Sequence, residues 1–286
     1  MTSQRSESNA PVNIAVVGSG YVGLVAAACF AEIGHIVTCV DNDEEKVTAL
    51  QQGITPIHED LLPELLAKHR GKRLSFTTDL TAAVRSAEAV FIAVGTPPLD
   101  NGDADLSFVE SVAAEVARSF NSYKVVIEKS TVPVYTSEWV TRVLVRNGVH
   151  TSQFDVVSNP EFLREGTAVS DFLHPDRIVV GADTERAYRL LARIYEPLTS
   201  GRYFESSTSV PGMRSASNPA PLLRTSAKSA ELIKHASNAF LALKISFINS
   251  VANVCEAADA NIAEVAQGIG MDARIGPKFL SAGLGY

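Results

Sequence analysis

Val12-Asn13-Ile14-Ala15-Val16-Val17-Gly18-Ser19-Gly20-Tyr21-Val22-Gly23 passes from a short apolar run straight into three glycines. A run this short and this apolar suits a strand covered on both faces. Residues 21–33 then read as a helix ended by Gly34, and residues 36–40 as a second strand that ends at Asp41. Glycine permits the tight turn between strand and helix, and leaves backbone N–H groups bare at the positive end of the helix dipole. Asp41 lies 18 residues beyond Gly23, where a carboxylate can accept hydrogen bonds from a ribose diol.

Strand, glycine turn, helix, strand and acid in that order point to dinucleotide binding. The acid would repel a 2′-phosphate, so the cofactor is expected to be NAD rather than NADP. Gly18, Gly20, Tyr21, Val22, Gly23 and Asp41 are the cofactor candidates. Lys46 could help hold the adenosine side or be an ordinary exposed helix lysine. Two bland readings stand beside this one. The glycines could serve only to pack a helix closely on a sheet, and a methyltransferase can also carry an acid after its second strand.

Outward from this core, helical stretches alternate with further strand-like runs at 89–94, 125–128, 154–158 and 178–181. That alternation predicts an α/β chain built on a Rossmann-type, doubly wound parallel sheet. Residues 1–11 are polar and read as a loose tail, with the sheet domain over 12–205. Residues 206–226, dense in Ser, Pro, Asn and Gly, read as a linker or flexible surface loop. Residues 227–286 follow as a small helical domain opened by one long helix, Ala227 to Ala258. Leu232, Ala236, Phe240, Leu243, Phe247, Val251, Val254 and Ala258 fall on one stripe of that helix. Lys234, Asn238, Leu241, Ile245 and Ile248 lie opposite. A helix apolar on two sides is buried or shared with a partner.

The 286 residues carry a net charge of −7, 46% hydrophobic and 20% charged residues. That balance describes a globular chain and excludes disordered or collagenous classes. It also lacks the basic excess that accompanies nucleic-acid binding. The apolar stretch 12–40 has the length of a membrane span, but its glycines, Asn13, Glu32 and His35 favour strand, turn and helix instead. Three cysteines make no disulfide framework, in keeping with a cytoplasmic setting. Neither metal-ligand spacing nor a nucleophile triad is legible, so no metal is expected.

Ligands in such sheets bind beyond the carboxyl ends of the strands. Three strand-end loops suit that place: Val94-Gly95-Thr96-Pro97, Lys129-Ser130-Thr131-Val132-Pro133, and Asn159-Pro160-Glu161-Phe162-Leu163-Arg164-Glu165-Gly166. Singly each is an ordinary turn. If residues 162–166 begin a helix, Glu161 and Glu165 sit near its N-terminus, as a cap or as a general base. Lys234 either snorkels or is held in an apolar site. Asn238, one turn on, could stabilise an oxyanion.

Together these segments resemble the UDP-glucose/GDP-mannose dehydrogenase family. Pro175-Asp176-Arg177, the run from Glu231 to Ala242 and the run from Ile269 to Gly276 carry the same resemblance. Glu161-Phe162-Leu163-Arg164-Glu165 with Pro175-Asp176-Arg177 looks most like the branch that oxidises UDP-glucose. The resemblance implies oxidation of a nucleotide-sugar at C6, from alcohol through aldehyde to acid, with two NAD reduced, in a homodimer joined through the long helix. By the same resemblance Glu161 serves hydrolysis of a thioester, and Thr131 positions water and cofactor. Thr96 and Glu165 lie on the cofactor side, while Lys234 and Asn238 contact the sugar. Phe162, Leu163, Arg164, Arg274, Phe279, Leu280, Ser281 and Gly283 belong to the substrate surface.

Two departures stand out. The family's nucleophilic cysteine falls about four residues beyond Tyr286 by motif alignment, and Cys29, Cys39 and Cys255 match other positions. The chain is therefore expected to be a fragment, without the nucleotide-side domain and inactive alone. The family's Tyr-Glu-Pro-Gly-Leu reads here as His58-Glu59-Asp60-Leu61-Leu62. Two other readings are a non-catalytic NAD-binding module and an NAD dehydrogenase of the β-hydroxyacid type, which also joins a Rossmann domain to a long helix.

Overall fold

The computed structural model describes residues 10–284; the expected tail, apart from Ala10 and Pro11, lies outside the described residues. The chain forms two compact units, Met1–Leu232 and Ile233–Tyr286.

The first unit opens with β1 (Asn13–Val17), α1 (Tyr21–Glu32), β2 (Ile36–Val40), α2 (Glu44–Gln52), α3 (Leu62–His69) and β3 (Leu74–Thr77). It continues through α4 (Leu80–Ser86), β4 (Ala89–Ile92), α5 (Ser107–Arg118), β5 (Lys124–Glu128) and α6 (Thr136–Arg146). Next come β6 (Phe154–Ser158), α7 (Ala168–Leu173), β7 (Ile178–Gly181), α8 (Glu185–Thr199) and β8 (Leu222–Thr225). One eight-stranded sheet results, in the order β3-β2-β1-β4-β5-β6-β7-β8. Order reverses across β1, which pairs in parallel with β2 on one side and β4 on the other.

Alternation along the strands splits the core in two. Ile14 and Val16 face one apolar cluster, with α1 at its centre, while Ala15 and Val17 face the other. Residues 23–32 of α1 are buried without exception, which is why the helix shows no polar face. Its small residues Ala26, Ala27 and Ala28 let it lie close to the sheet.

The sheet departs from the all-parallel expectation at one junction. β7 runs antiparallel to β6 and touches it through a single register pair, Ser158 with Gly181. β8 then pairs in parallel with β7. Asn159 reinforces this seam: its side-chain amide donates to the Val179 carbonyl (2.7 Å), and its Oδ1 accepts from the Tyr195 hydroxyl (2.6 Å) and from Lys129 Nζ (3.3 Å).

The segment expected as a linker or flexible surface loop, residues 206–226, makes hydrogen bonds to its surroundings. Its last residues are β8. His174 Nε2 donates to the Val210 carbonyl (2.7 Å) and its Nδ1 accepts from Arg214 N (3.2 Å). The Arg214 guanidinium donates to the carbonyls of Pro175 and Asp176, both at 2.9 Å. Serine, asparagine and proline density here reflects turns with fixed partners.

The long helix, α9, spans Ala227–Ala258 as expected and continues from the first unit into the second. Ile248 is fully buried and Leu241 and Ile245 are partly so, whereas Leu232, Phe240, Leu243, Phe247 and Val254 are exposed. Among the described residues α9 alone is long and apolar enough to cross a membrane, by length and composition. After α10 (Ile262–Gly270), residues 271–284 run as turns. Lys244 Nζ holds the Ile275 carbonyl (3.0 Å), and Asn249 exchanges two hydrogen bonds with the Gly283 backbone.

Candidate dinucleotide and substrate site

The three glycines of the first turn meet three different demands. Gly18 has φ +102°, and a Cβ there would lie 2.6 Å from the Ala93 carbonyl oxygen. A Cβ on Gly23 would fall inside the Gly18 carbonyl, so helix and turn touch backbone to backbone. At Gly20 a Cβ would meet nothing within 4 Å. Bare backbone facing open space is what a pyrophosphate needs. Gly20 caps α1 with no side-chain acceptor, which leaves the first-turn N–H groups for an incoming anion.

Asp41 is held at the adjoining strand end. Its Oδ2 accepts from Ser19 N (2.8 Å), Ser19 Oγ (2.6 Å) and Lys46 Nζ (3.0 Å). Oδ1 accepts only from Asp43 N (3.2 Å), so acceptor capacity remains for a ribose hydroxyl. Burial works against the charge. The Ser19, Lys46 and Asp43 donors outweigh it and keep the carboxyl below its ordinary range. Lys46 is thus an ion-pair partner of the acid, not an idle surface lysine. The turn and the acid together fit an NAD-type dinucleotide.

The strand-end loops after β4, β5 and β6 converge, because those strands are neighbours in the sheet. Thr96 Oγ1 donates to the Thr131 carbonyl (2.8 Å) and Ser130 Oγ to the Val94 carbonyl (2.8 Å). Beneath them lies a residue that the sequence did not single out, Glu128. Its Oε1 accepts from Ser130 N (2.9 Å), and its Oε2 is buried with no partner among the described residues. Burial, partly offset by Ser130 and reinforced by the nearby Glu231 charge, pushes this carboxyl up to about 8.

The loop after β6 differs from expectation. Residues 161–164 are irregular, residues 165–167 form a turn, and the helix starts only at Ala168. Glu161 and Glu165 therefore do not sit at a helix N-terminus. The Glu161 carboxylate instead accepts from Leu163 N, curling the loop upon itself. Arg164 is bound to Asp171 through two side-chain hydrogen bonds (3.0 and 2.6 Å), and Phe162 lies 3.9 Å from the Arg177 guanidinium, centroid to carbon. Glu165 is exposed and Glu161, Phe162 and Leu163 are partly buried.

Glu59 is the second residue missed. It is 2% exposed, yet its carboxylate accepts from Tyr21 Oη (2.7 Å), Gly166 N (2.9 Å) and Ala168 N (2.7 Å). Only its place in a departed family motif could have flagged it.

In the second unit Lys234 is buried and Asn238 is exposed. Arg274 projects outward, paired with Asp272 (2.6 Å). Phe279 takes φ +64°, Leu280 is buried, and Ser281 and Gly283 are exposed. The three cysteines are buried, and burial raises the thiols of Cys29 and Cys39, the latter to about 12.

A sheet reversing at β1, with a glycine cradle on one strand and an acid on the next, defines a dinucleotide-binding α/β protein of the Rossmann class. The chain belongs to the UDP-glucose/GDP-mannose dehydrogenase family: residues 12–199 match its NAD binding domain and residues 228–286 its central domain. It is 48% identical over 279 residues to a UDP-glucose 6-dehydrogenase of Rhizobium meliloti (strain 1021), covering 96% of this chain and 60% of the relative. Against UDP-glucose 6-dehydrogenase TuaD of Bacillus subtilis (strain 168) the identity is 44%, covering 96% and 55%. A solved UDP-glucose dehydrogenase from Pyrobaculum islandicum superposes with a TM-score of 0.86 at 40% identity, covering 97% of this chain and 61% of that one. The chain thus spans a little over half the length of these relatives.

Proposed function

We propose that this protein oxidises a nucleotide-sugar, UDP-glucose or dTDP-glucose, at C6 to the uronic acid. The observation that carries the reading is the cradle of Gly18, Gly20 and Asp41 beside three converging strand-end loops, in a chain whose named relatives are UDP-glucose 6-dehydrogenases. NAD, when bound, supplies the hydride acceptor for both oxidations.

This chain's residues divide the remaining work. The amides of the first turn and the Asp41 carboxylate hold the dinucleotide, and Thr96 and Thr131 fix the floor beside it. Lys234 and Asn238 are assigned to oxyanions that develop at C6. Glu161 takes a proton from the water that hydrolyses the thioester; the acid leaves and the sulfur is released as thiolate. That sulfur is neither Cys29 nor Cys39, whose raised thiols are poor nucleophiles. Phe162, Leu163, Arg164, Arg274, Phe279, Leu280, Ser281 and Gly283 are assigned to the substrate surface; Arg164 would exchange its Asp171 partner for substrate.

The protein acts in the cytoplasm as a homodimer. The exposed apolar stripe of α9 supports a second copy of the chain as its cover. Incubating the protein with NAD and UDP-glucose, dTDP-glucose or GDP-mannose tests the reaction. Two NADH per uronic acid from a uridine or thymidine sugar is expected. Turnover of a simple hydroxy acid, with nucleotide-sugars inert, would overturn it in favour of a β-hydroxyacid dehydrogenase.

A further inference from the structure

Glu59 is used by neither the cofactor cradle nor the proposed chemistry, yet it is among the most thoroughly bonded carboxylates in the first unit. A buried carboxylate is costly unless its lone pairs are taken, and here the three donors come from two distant parts of the chain. Tyr21 is the first residue of α1, directly after the glycine turn. Gly166 and Ala168 end the loop that carries Glu161 and Glu165, and the Ala168 N–H opens α7, where no helical carbonyl can serve it. The Tyr21 hydroxyl also lies 2.9 Å from the Arg164 carbonyl, so its single proton sits between Glu59 and the loop itself.

We propose that Glu59 is a positioning residue that couples the cofactor turn to the 161–168 loop, so that a dinucleotide on the first turn of α1 fixes the loop presenting Glu161. The catalytic consequence rests on the nucleotide-sugar reading; the coupling itself needs NAD alone. Glutamine has the same size but one acceptor oxygen, and its NH2 group would confront a backbone N–H. Glu59→Gln therefore breaks one strand of the link, and Tyr21→Phe cuts the other without touching Gly166 or Ala168.

Hydrogen exchange of a peptide covering residues 161–168, read by mass spectrometry, tests the coupling at NAD concentrations that saturate each variant. In the unaltered protein NAD should slow exchange there by about tenfold, in the usual range of site-to-site coupling. In Glu59→Gln and Tyr21→Phe the loop should no longer respond. For nucleotide-sugar turnover kcat should fall about tenfold while KM for NAD moves less, and the double variant should be no worse than Glu59→Gln. An unresponsive loop in the unaltered protein, or an equal response in the variants, overturns the proposal. So does a loss of activity that merely tracks a lower melting temperature. If Glu59→Gln does not fold, Tyr21→Phe decides. Normal coupling with no nucleotide-sugar oxidation would sink the functional reading and leave the coupling standing.

Discussion

Asp41 and Glu128 are strand-end carboxylates whose surroundings shift them in opposite directions. Asp41 keeps its charge because Ser19 and Lys46 donate to it. Asp41→Ala should weaken NAD binding about 10- to 100-fold by calorimetry, the range for a hydrogen bond to a charged group. Because its pKa is depressed, the unaltered protein should hold the Asp41 share of its NAD affinity as pH falls from 8 to 5. Glu128 is the reverse case: its folded pKa of about 8 lies above the unfolded value of about 4.3. Between those values the folded state binds the extra proton, so this group subtracts stability as pH rises through that window, and no further above it. Glu128→Gln should therefore match the parent near pH 4 and exceed it by on the order of 4–5 kcal/mol at pH 8 in denaturant unfolding. A constant difference across pH would refute that.

At the scale of elements, most of the sheet was legible because a parallel sheet buried on both faces writes itself as short apolar runs. β3 was missed: as an edge strand it alternates, with Leu74 and Phe76 inward and Ser75 outward, over only four residues. β8 was missed for a related reason, being short, half exposed and set among turn-forming residues. The glycine turn and its acid could be read because their chemistry is local. The roles of Ser19, Glu59 and Glu128 could not, since each depends on a partner brought by the fold. The reversal at β7 is likewise invisible locally, and it leans on Asn159. Asn159→Ala would take their side-chain partner from the Val179 carbonyl and the Tyr195 hydroxyl, while Lys129 keeps the residue-159 backbone carbonyl (3.2 Å). Thermal or chemical unfolding should show a loss of about 2–4 kcal/mol, since buried groups left unpaired cost about 1–3 kcal/mol each and part of the network can relax.

For the molecule as a whole, the proposed second copy is tested on α9. Phe240 and Phe247 are more than half exposed on the same stripe. Phe240→Glu with Phe247→Glu should shift light-scattering mass from dimer to monomer while the first unit still binds NAD. A parent that is already monomeric, or that partitions into vesicles, would refute the dimer.

Elsewhere the sheet is knitted by four or five residue pairs at every junction, but β6 and β7 share one. Backbone pairing is thinnest along that line, and side chains, among them Asn159 and the apolar cluster shared by α1 and α8, hold it instead. The Gly18, Gly20 and Asp41 cradle lies on one side of it, so what the far strands lend the cofactor grip passes through side chains such as Phe30 against Tyr195 rather than through the ladder.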